Sequence, residues 1–113
     1  MWSVIESSKI PFSSYPKGVS NIKRILEQKT VGSRRFTGLG LLEIPPGGMF
    51  PQHTHPEREE IYYVLSGSGV LMIEDEEVPA TEGLALYVSG DVPHGIKNQT
   101  DKPLMVLFVH AQV

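Results

Sequence analysis

Short apolar or alternating runs, each closed by Gly, Pro, Asn, Asp or Ser, recur along the chain from residue 35 onward. In an extended strand successive side chains point to opposite faces, so alternation marks a half-buried strand and a brief continuous run marks a buried one. Such runs, separated by 20 Gly and Pro residues in 113, predict an all-β sandwich or barrel. Strands are expected over residues 35–43, 49–55, 60–66, 69–74, 77–79, 84–88, 94–98 and 104–110. The breaks carry turn chemistry: Pro45-Pro46-Gly47-Gly48, Gly67-Ser68, Asp75-Glu76, Thr81-Glu82-Gly83, Ser89-Gly90-Asp91 and Gln99-Thr100-Asp101 offer fixed φ, access to positive φ or local side-chain hydrogen bonds.

The first thirty residues are ambiguous, because Val19, Ile22, Ile25 and Leu26 also fit a helical period. A strand is the preferred reading. No helical pattern continues past Lys29-Thr30-Val31-Gly32, and an added strand would cover a sheet edge that otherwise invites aggregation. Residues 7–18, rich in Ser and Pro, are expected to pack as an irregular arm. No internal repeat or linker interrupts the pattern, so a single domain is expected over 1–113, with the arm and first strands in 1–34 and a barrel in 35–113.

Composition narrows the class. With 40% hydrophobic and 20% charged residues and a net charge of -3, the chain reads as a soluble globular protein without the basic stripe that nucleic acid requires. No run approaches the roughly 20 apolar residues of a membrane span, and the N-terminus lacks a basic segment followed by a long apolar one, so a cytoplasmic location is expected. The absence of cysteine removes disulfides and thiolate ligands from the account.

The candidate chemistry lies in His53-Thr54-His55, Glu60 and His94. Alternation within a strand places His53 and His55 on one face. The connection Pro56-Glu57-Arg58-Glu59 reverses the chain, and Glu60 opens the next run, where it can offer a carboxylate oxygen to an ion held by imidazoles. His94, just after Pro93, is the candidate third imidazole. Histidine and carboxylate suit Mn, Fe, Co, Ni, Cu or Zn, and four such ligands on an octahedral ion leave two positions for water or substrate. A His-x-His pair alone is weak evidence, since it also occurs as surface residues beside a turn. His110, at the end of an apolar run, reads as a strand residue rather than a ligand, and Glu57, Arg58 and Glu59 read as a solvated turn. Tyr62 shares Glu60's face, so its ring fills the core and its hydroxyl is a candidate substrate contact. Asn98 is expected to hold structure by hydrogen bonds.

The spacing of these residues resembles the two motifs of the cupin superfamily. The first reads Gly47, five residues, His53-Thr54-His55, four residues, Glu60, six residues, Gly67; the second reads Gly83, then His94, three residues, Asn98. One stretch departs: the family's Pro-x-Gly is Ser89-Gly90-Asp91 here. The motifs span about half of the chain. The resemblance implies a double-stranded β-helix, a jelly-roll-like barrel, and it implies His53, His55, Glu60 and His94 as ligands of one divalent ion, Mn, Fe, Zn, Ni or Cu. The Glu-Ile-Tyr-Tyr stretch is similar to small single-domain cupins of the oxalate-decarboxylase-like subgroup.

Cupins include decarboxylases, dioxygenases, isomerases, lyases and binding proteins, and fold is a poor guide to reaction. Two functions therefore stay open. One is a metalloenzyme acting on a small carboxylic acid, keto acid or sugar derivative; the other is a non-catalytic module that binds or senses a small ligand. A homodimer is expected, built by arm exchange or sheet extension, since Trp2, Ile5 and Phe12 offer apolar surface to a second subunit.

Overall fold

Alternation organises the barrel wall. In the computed structural model, which describes residues 1–113, the strand β3 (Phe36–Ile44) buries Gly38, Gly40, Leu42 and Ile44. It follows one turn of 3-10 helix at Ser7–Lys9, then β1 (Ser13–Ser14), β2 (Asn21–Glu27) and the single turn α1 (Gln28–Val31). After it come β4 (Met49–His53), β5 (Arg58–Ser66), β6 (Gly69–Ile73), β7 (Glu76–Ala80), β8 (Ala85–Val88), β9 (His94–Lys97) and β10 (Leu104–Gln112). Two antiparallel sheets result, one in the order β1-β2-β3-β10-β5-β8 and the other in the order β4-β9-β6-β7. From β3 onward the chain crosses repeatedly between them, which is the winding of the expected double-stranded β-helix. No helix is long and apolar enough to cross a membrane.

The core lies between the sheets. Leu42, Ile44, Val64, Leu104, Val106 and Phe108 from the larger sheet meet Phe50, Leu71, Ala80 and Ile96 from the smaller one. Each fully buried aliphatic or aromatic side chain contributes about 1.5–3 kcal/mol. The motif glycines Gly47, Gly67 and Gly83 all adopt positive φ, between 77° and 86°, which side chains with a Cβ rarely tolerate.

Several boundaries differ from the sequence expectation, and each difference has a cause. Residues 21–27 form a strand despite their helical spacing, because a bulge opposite Gly40 and Leu39 leaves Ile25 as an extra residue and breaks the alternation. The single helical turn α1 follows the strand, past the residues that fit a helical period, and Gly32 ends it at a left-handed φ of 71°. β4 stops at His53, so His55 lies outside the strand expected to carry both histidines. β5 starts at Arg58 rather than Glu60, and the reversing segment is shorter than Pro56-Glu57-Arg58-Glu59. Asn98 lies just beyond β9 rather than within it. The arm folds onto its own barrel from Ser7 to Tyr15: Lys23 Nζ donates to Ser7 O at 3.0 Å and stands over the Phe12 ring, while Tyr15 packs on Phe50.

Candidate metal centre

Four side chains converge at one end of the space between the sheets. A potential ligand atom from each of His53, His55, Glu60 and His94 lies within 4.8 Å of every other, and all but His53 are buried. Strand pairing sets two of them, since His53 and His94 are register partners across β4 and β9. His55 is placed differently. Its N–H donates to Gly90 O at 2.8 Å and its carbonyl accepts from Arg58 N at 2.9 Å, which closes the turn into β5. Gly90 is wedged against this turn so tightly that a Cβ would stand 2.0 Å from the carbonyl oxygens of both His55 and Arg58. A glycine thus sits within the departing Ser89-Gly90-Asp91 stretch where close backbone approach demands one.

The histidines are locked for ligation. Nδ1 of His53 donates to Pro51 O at 3.0 Å, Nδ1 of His55 to Arg58 O at 3.2 Å, and Nδ1 of His94 to Val92 O at 2.7 Å. A neutral imidazole has one N–H, and these bonds use it, leaving each Nε2 as a lone pair. Yet His55 Nε2 and His94 Nε2 lie 3.1 Å apart, and both approach Glu60 Oε1, at 2.9 and 3.1 Å. Lone pairs and a carboxylate crowded in this way require a cation, either a metal or a proton. Carbonyl partners behind ligating imidazoles are the arrangement that fixes ring orientation in metal sites. The donor set fits a divalent transition ion, with positions left for small ligands.

Proton affinities carry the same tension. Burial alone would raise the Glu60 carboxyl, but the hydrogen-bonding approach of His55 and His94 to it outweighs burial and holds the group at about 2. The hydrogen bond with Glu60 raises His55 against the desolvation of its burial. Desolvation lowers His53.

Next to the cluster opens a cavity of about 210 Å³, lined by His53, His55 and Glu60 and by side chains of β2, β3 and β10. Two of its residues are not placed at the cavity by the sequence pattern. His110 is the register partner of Glu60 across β10 and β5, lines the cavity and shares a hydrogen bond with Thr37 Oγ1. Desolvation, followed by the charge of Arg58, lowers its proton affinity, with Arg24 adding to the effect. Arg58, expected in a solvated turn, belongs to β5, where alternation places it on the face of Glu60 and Tyr62. The signal was available in the alternation of Arg58, Glu60, Tyr62 and Val64, but the charges around Arg58 masked it. Tyr62 is 2% exposed, does not line the cavity, and sets its ring 5.9 Å from that of His94; its hydroxyl has no partner. Burial pushes that hydroxyl well above its ordinary proton affinity. Asn98 is also buried, and its amide is fully engaged with backbone and Thr100.

Residues 40–110 match the Cupin domain family. The chain belongs to the cupin family. This cupin is similar to the tetracenomycin polyketide synthase protein TcmJ of Streptomyces glaucescens, with 34% identity over 110 residues, covering 94% of the cupin and 72% of TcmJ. It is also similar to the oxalate-binding protein of Thermotoga maritima, with 32% identity over 68 residues, 60% of the cupin and 56% of that protein. Among solved structures, a predicted oxalate decarboxylase from Thermotoga maritima superposes with a TM-score of 0.86 at 25% identity, covering 98% of the cupin and all of that chain. The cupin spans about half to three quarters of the length of these and other curated relatives.

Proposed function

We propose that this cupin is a metal-dependent enzyme for a small oxygen-rich substrate, a carboxylic acid, keto acid or sugar derivative, with His53, His55, Glu60 and His94 as the metal ligands. The observation that carries the reading is the set of three Nδ1–H bonds to carbonyls, which leaves three lone pairs and one carboxylate facing a common point. A bound Mn, Fe, Zn, Ni or Cu ion would polarise substrate oxygens as a Lewis acid or, as Fe or Cu, activate dioxygen. The chain's own residues do the rest. The cavity, about 210 Å³, admits a compact molecule. Thr37 orients the His110 ring at the wall, where the imidazole can hold or pass a proton. The Tyr62 hydroxyl is unpaired and buried beside His94 but lies outside the cavity wall, so its proposed role as donor requires a substrate oxygen that reaches past His94.

Similarity to an oxalate-binding protein supports a second reading, capture of a small acid without turnover. Metal analysis of protein purified without chelators tests both, followed by assays for carbon dioxide release and oxygen uptake with small acids. Near-stoichiometric metal with turnover supports the enzyme; metal with ligand capture alone supports the binding module. Protein unable to take up metal overturns the enzyme, and if it also captures no small acid it overturns both.

The reading includes a homodimer. The outer face of the larger sheet aligns Leu39, Val109, Ile61 and Tyr87 in one row and Leu41, Leu107 and Tyr63 in the next. Ile61, Tyr63, Leu65 and Tyr87 are 41–59% exposed. Lys23 continues the second row beside Leu41, and Glu43 and Glu59 border the face, but the apolar stretch across β10, β5 and β8 is compatible with its own copy across a two-fold axis. Sedimentation of wild type and Tyr63→Lys tests it: a dimer that the substitution splits supports the proposal, and a wild-type monomer refutes it.

A further inference from the structure

Arginines facing a cavity with no carboxylate at hydrogen-bond distance call for an anion, and this cavity has two. Arg58 and Arg24 both line it. Arg58 Nε is buried and has no hydrogen-bond partner; the nearest carboxylate oxygen, from the exposed Glu57, stands 3.9 Å away. A buried donor left unpaired is costly, which makes it a strong pointer to something the fold awaits. Arg24 reaches the same space from β2, opposite Gly40, and no carboxylate lies within ion-pair distance of it.

Charge favours the same conclusion. Outside the ligand set the cavity wall carries a single carboxylate, Glu27, against the two guanidinium groups. A divalent ion held by Glu60 and neutral imidazoles leaves the site with a further positive charge. The site is thus electropositive in a chain whose net charge is -3, a contrast that draws small anions inward. Geometry then orders the ligand. Arg58 and Glu60 are two residues apart on one strand face, about 7 Å along β5. A short molecule can therefore meet the ion with one end while its other end meets the Arg58 fork, which matches a carboxylate edge.

We infer that Arg58, assisted by Arg24, forms a carboxylate clamp facing the metal ligands, so that the ligand of this site is a small dicarboxylate or 2-oxodicarboxylate. The inference rests on the metal-centred reading above and narrows its substrate class from oxygen-rich molecules to short diacids. A neutral sugar leaves the buried Arg58 Nε–H and the Arg24 guanidinium without an anion to meet.

Calorimetric titration of the metal-loaded protein with oxalate, malonate, succinate, 2-oxoglutarate, malonamide and inorganic phosphate tests it, alongside metal analysis of every variant. At least one diacid binds, and malonamide binds far more weakly. Arg58→Gln weakens the diacid about 10- to 100-fold, as loss of a charge-assisted hydrogen bond does; Arg58→Lys falls between, because it keeps charge without the fork. Arg24→Gln, at an exposed position that leaves the core intact, weakens it about 3-fold or more. Metal content stays as in wild type throughout. Stoichiometric metal with no diacid binding, with equal binding by Arg58→Gln and wild type, or with preference for phosphate overturns the clamp. Arginine-dependent diacid binding by protein that takes up no metal overturns the metal reading and leaves the clamp standing.

Discussion

Two nearly inaccessible polar side chains stand at opposite ends of β9. His94, 0% exposed, opens the strand, and Asn98, 1% exposed, follows its last residue. Asn98 is satisfied on every side: Nδ2 donates to Ile44 O at 2.9 Å and Lys102 O at 2.7 Å, while Oδ1 accepts from Thr100 N at 2.9 Å and Thr100 Oγ1 at 2.7 Å. That uses both donors and both lone pairs of an amide. His94 is satisfied only at Nδ1, and its Nε2 faces other acceptors. One group closes a network within the protein, and the other opens toward something the chain does not supply. Burial alone therefore does not separate structure from function in this barrel; the state of the remaining lone pairs does.

Exchanging each residue for alanine separates the two roles most widely. Asn98→Ala removes the amide that ties the buried Ile44 carbonyl to the Thr100–Lys102 loop, at about 1–3 kcal/mol for a buried group left unsatisfied, so the denaturation midpoint of metal-free protein falls while the folded fraction still takes up metal. His94→Ala does the reverse. Loss of partners behind a ligand costs about 10- to 100-fold in affinity, and loss of a ligand itself exceeds that, whereas metal-free stability drops less than in Asn98→Ala. Equal loss of metal affinity in the two variants breaks the distinction.

The contrast was partly readable in the chain. Glycine, histidine and glutamate spacing pointed to the cluster, because ligand sets repeat at intervals that strands and turns impose, and Asn98 was placed as structural. The fold was legible for a related reason: alternation in residues 36–44 and 104–112 leaves few other ways to bury Leu42, Ile44, Val106 and Phe108. What failed was local. Strand alternation was the expected cause of the His53 and His55 pairing, but β4 ends at His53, and His55 is held by the backbone of Gly90. No pattern in residues 53–55 encodes a contact made 35 positions later. Arg58 and His110 were passed over because a charge beside Glu57 and Glu59 resembles a turn, and a histidine after an apolar run resembles a strand end; register across β5 and β10 gives each its place at the cavity.

Gly90→Ala sharpens the account of His55. An added methyl would overlap two carbonyl oxygens, so the turn must shift and carry the imidazole with it. Metal affinity is expected to fall about 10-fold or more, in the range of lost supporting contacts, with a stability loss of about 1–3 kcal/mol from overpacking. Calorimetry and denaturant titration of the variant measure both; unchanged metal affinity would mean that the turn does not position His55.

Acid and base act on the open cluster and leave the closed network alone. In metal-free protein Glu60, held at about 2, contributes stability in full above its ordinary value of 4.5 and loses it as pH falls from 4.5 toward 2. His55 has the opposite sign: raised by Glu60, it contributes below 6.5, and that contribution is lost as pH rises through its raised value. His53 and His110, lowered by burial, contribute above 6.5 and lose that contribution as pH falls below it. On the proposed ligation metal replaces the proton on His55, so the rise in melting temperature on adding metal should grow as pH increases through 6.5 and vanish near pH 4. An increment independent of pH would exclude histidine ligation.

The smallest effect concerns a third kind of buried polar group, neither closed like Asn98 nor crowded by acceptors like His94. Tyr62 keeps its ring in the core and its hydroxyl unpaired. An unpaired buried hydroxyl weakens a fold, so Tyr62→Phe should leave metal-free stability unchanged or raise it by up to about 1 kcal/mol. Natural chains retain such groups where function uses them. The same variant should then bind a diacid about 3- to 10-fold more weakly in the metal-loaded state, the worth of one hydrogen bond. Stability gained with diacid affinity unchanged would assign Tyr62 to the core alone, and stability lost would mean that its hydroxyl is paired in the folded protein after all.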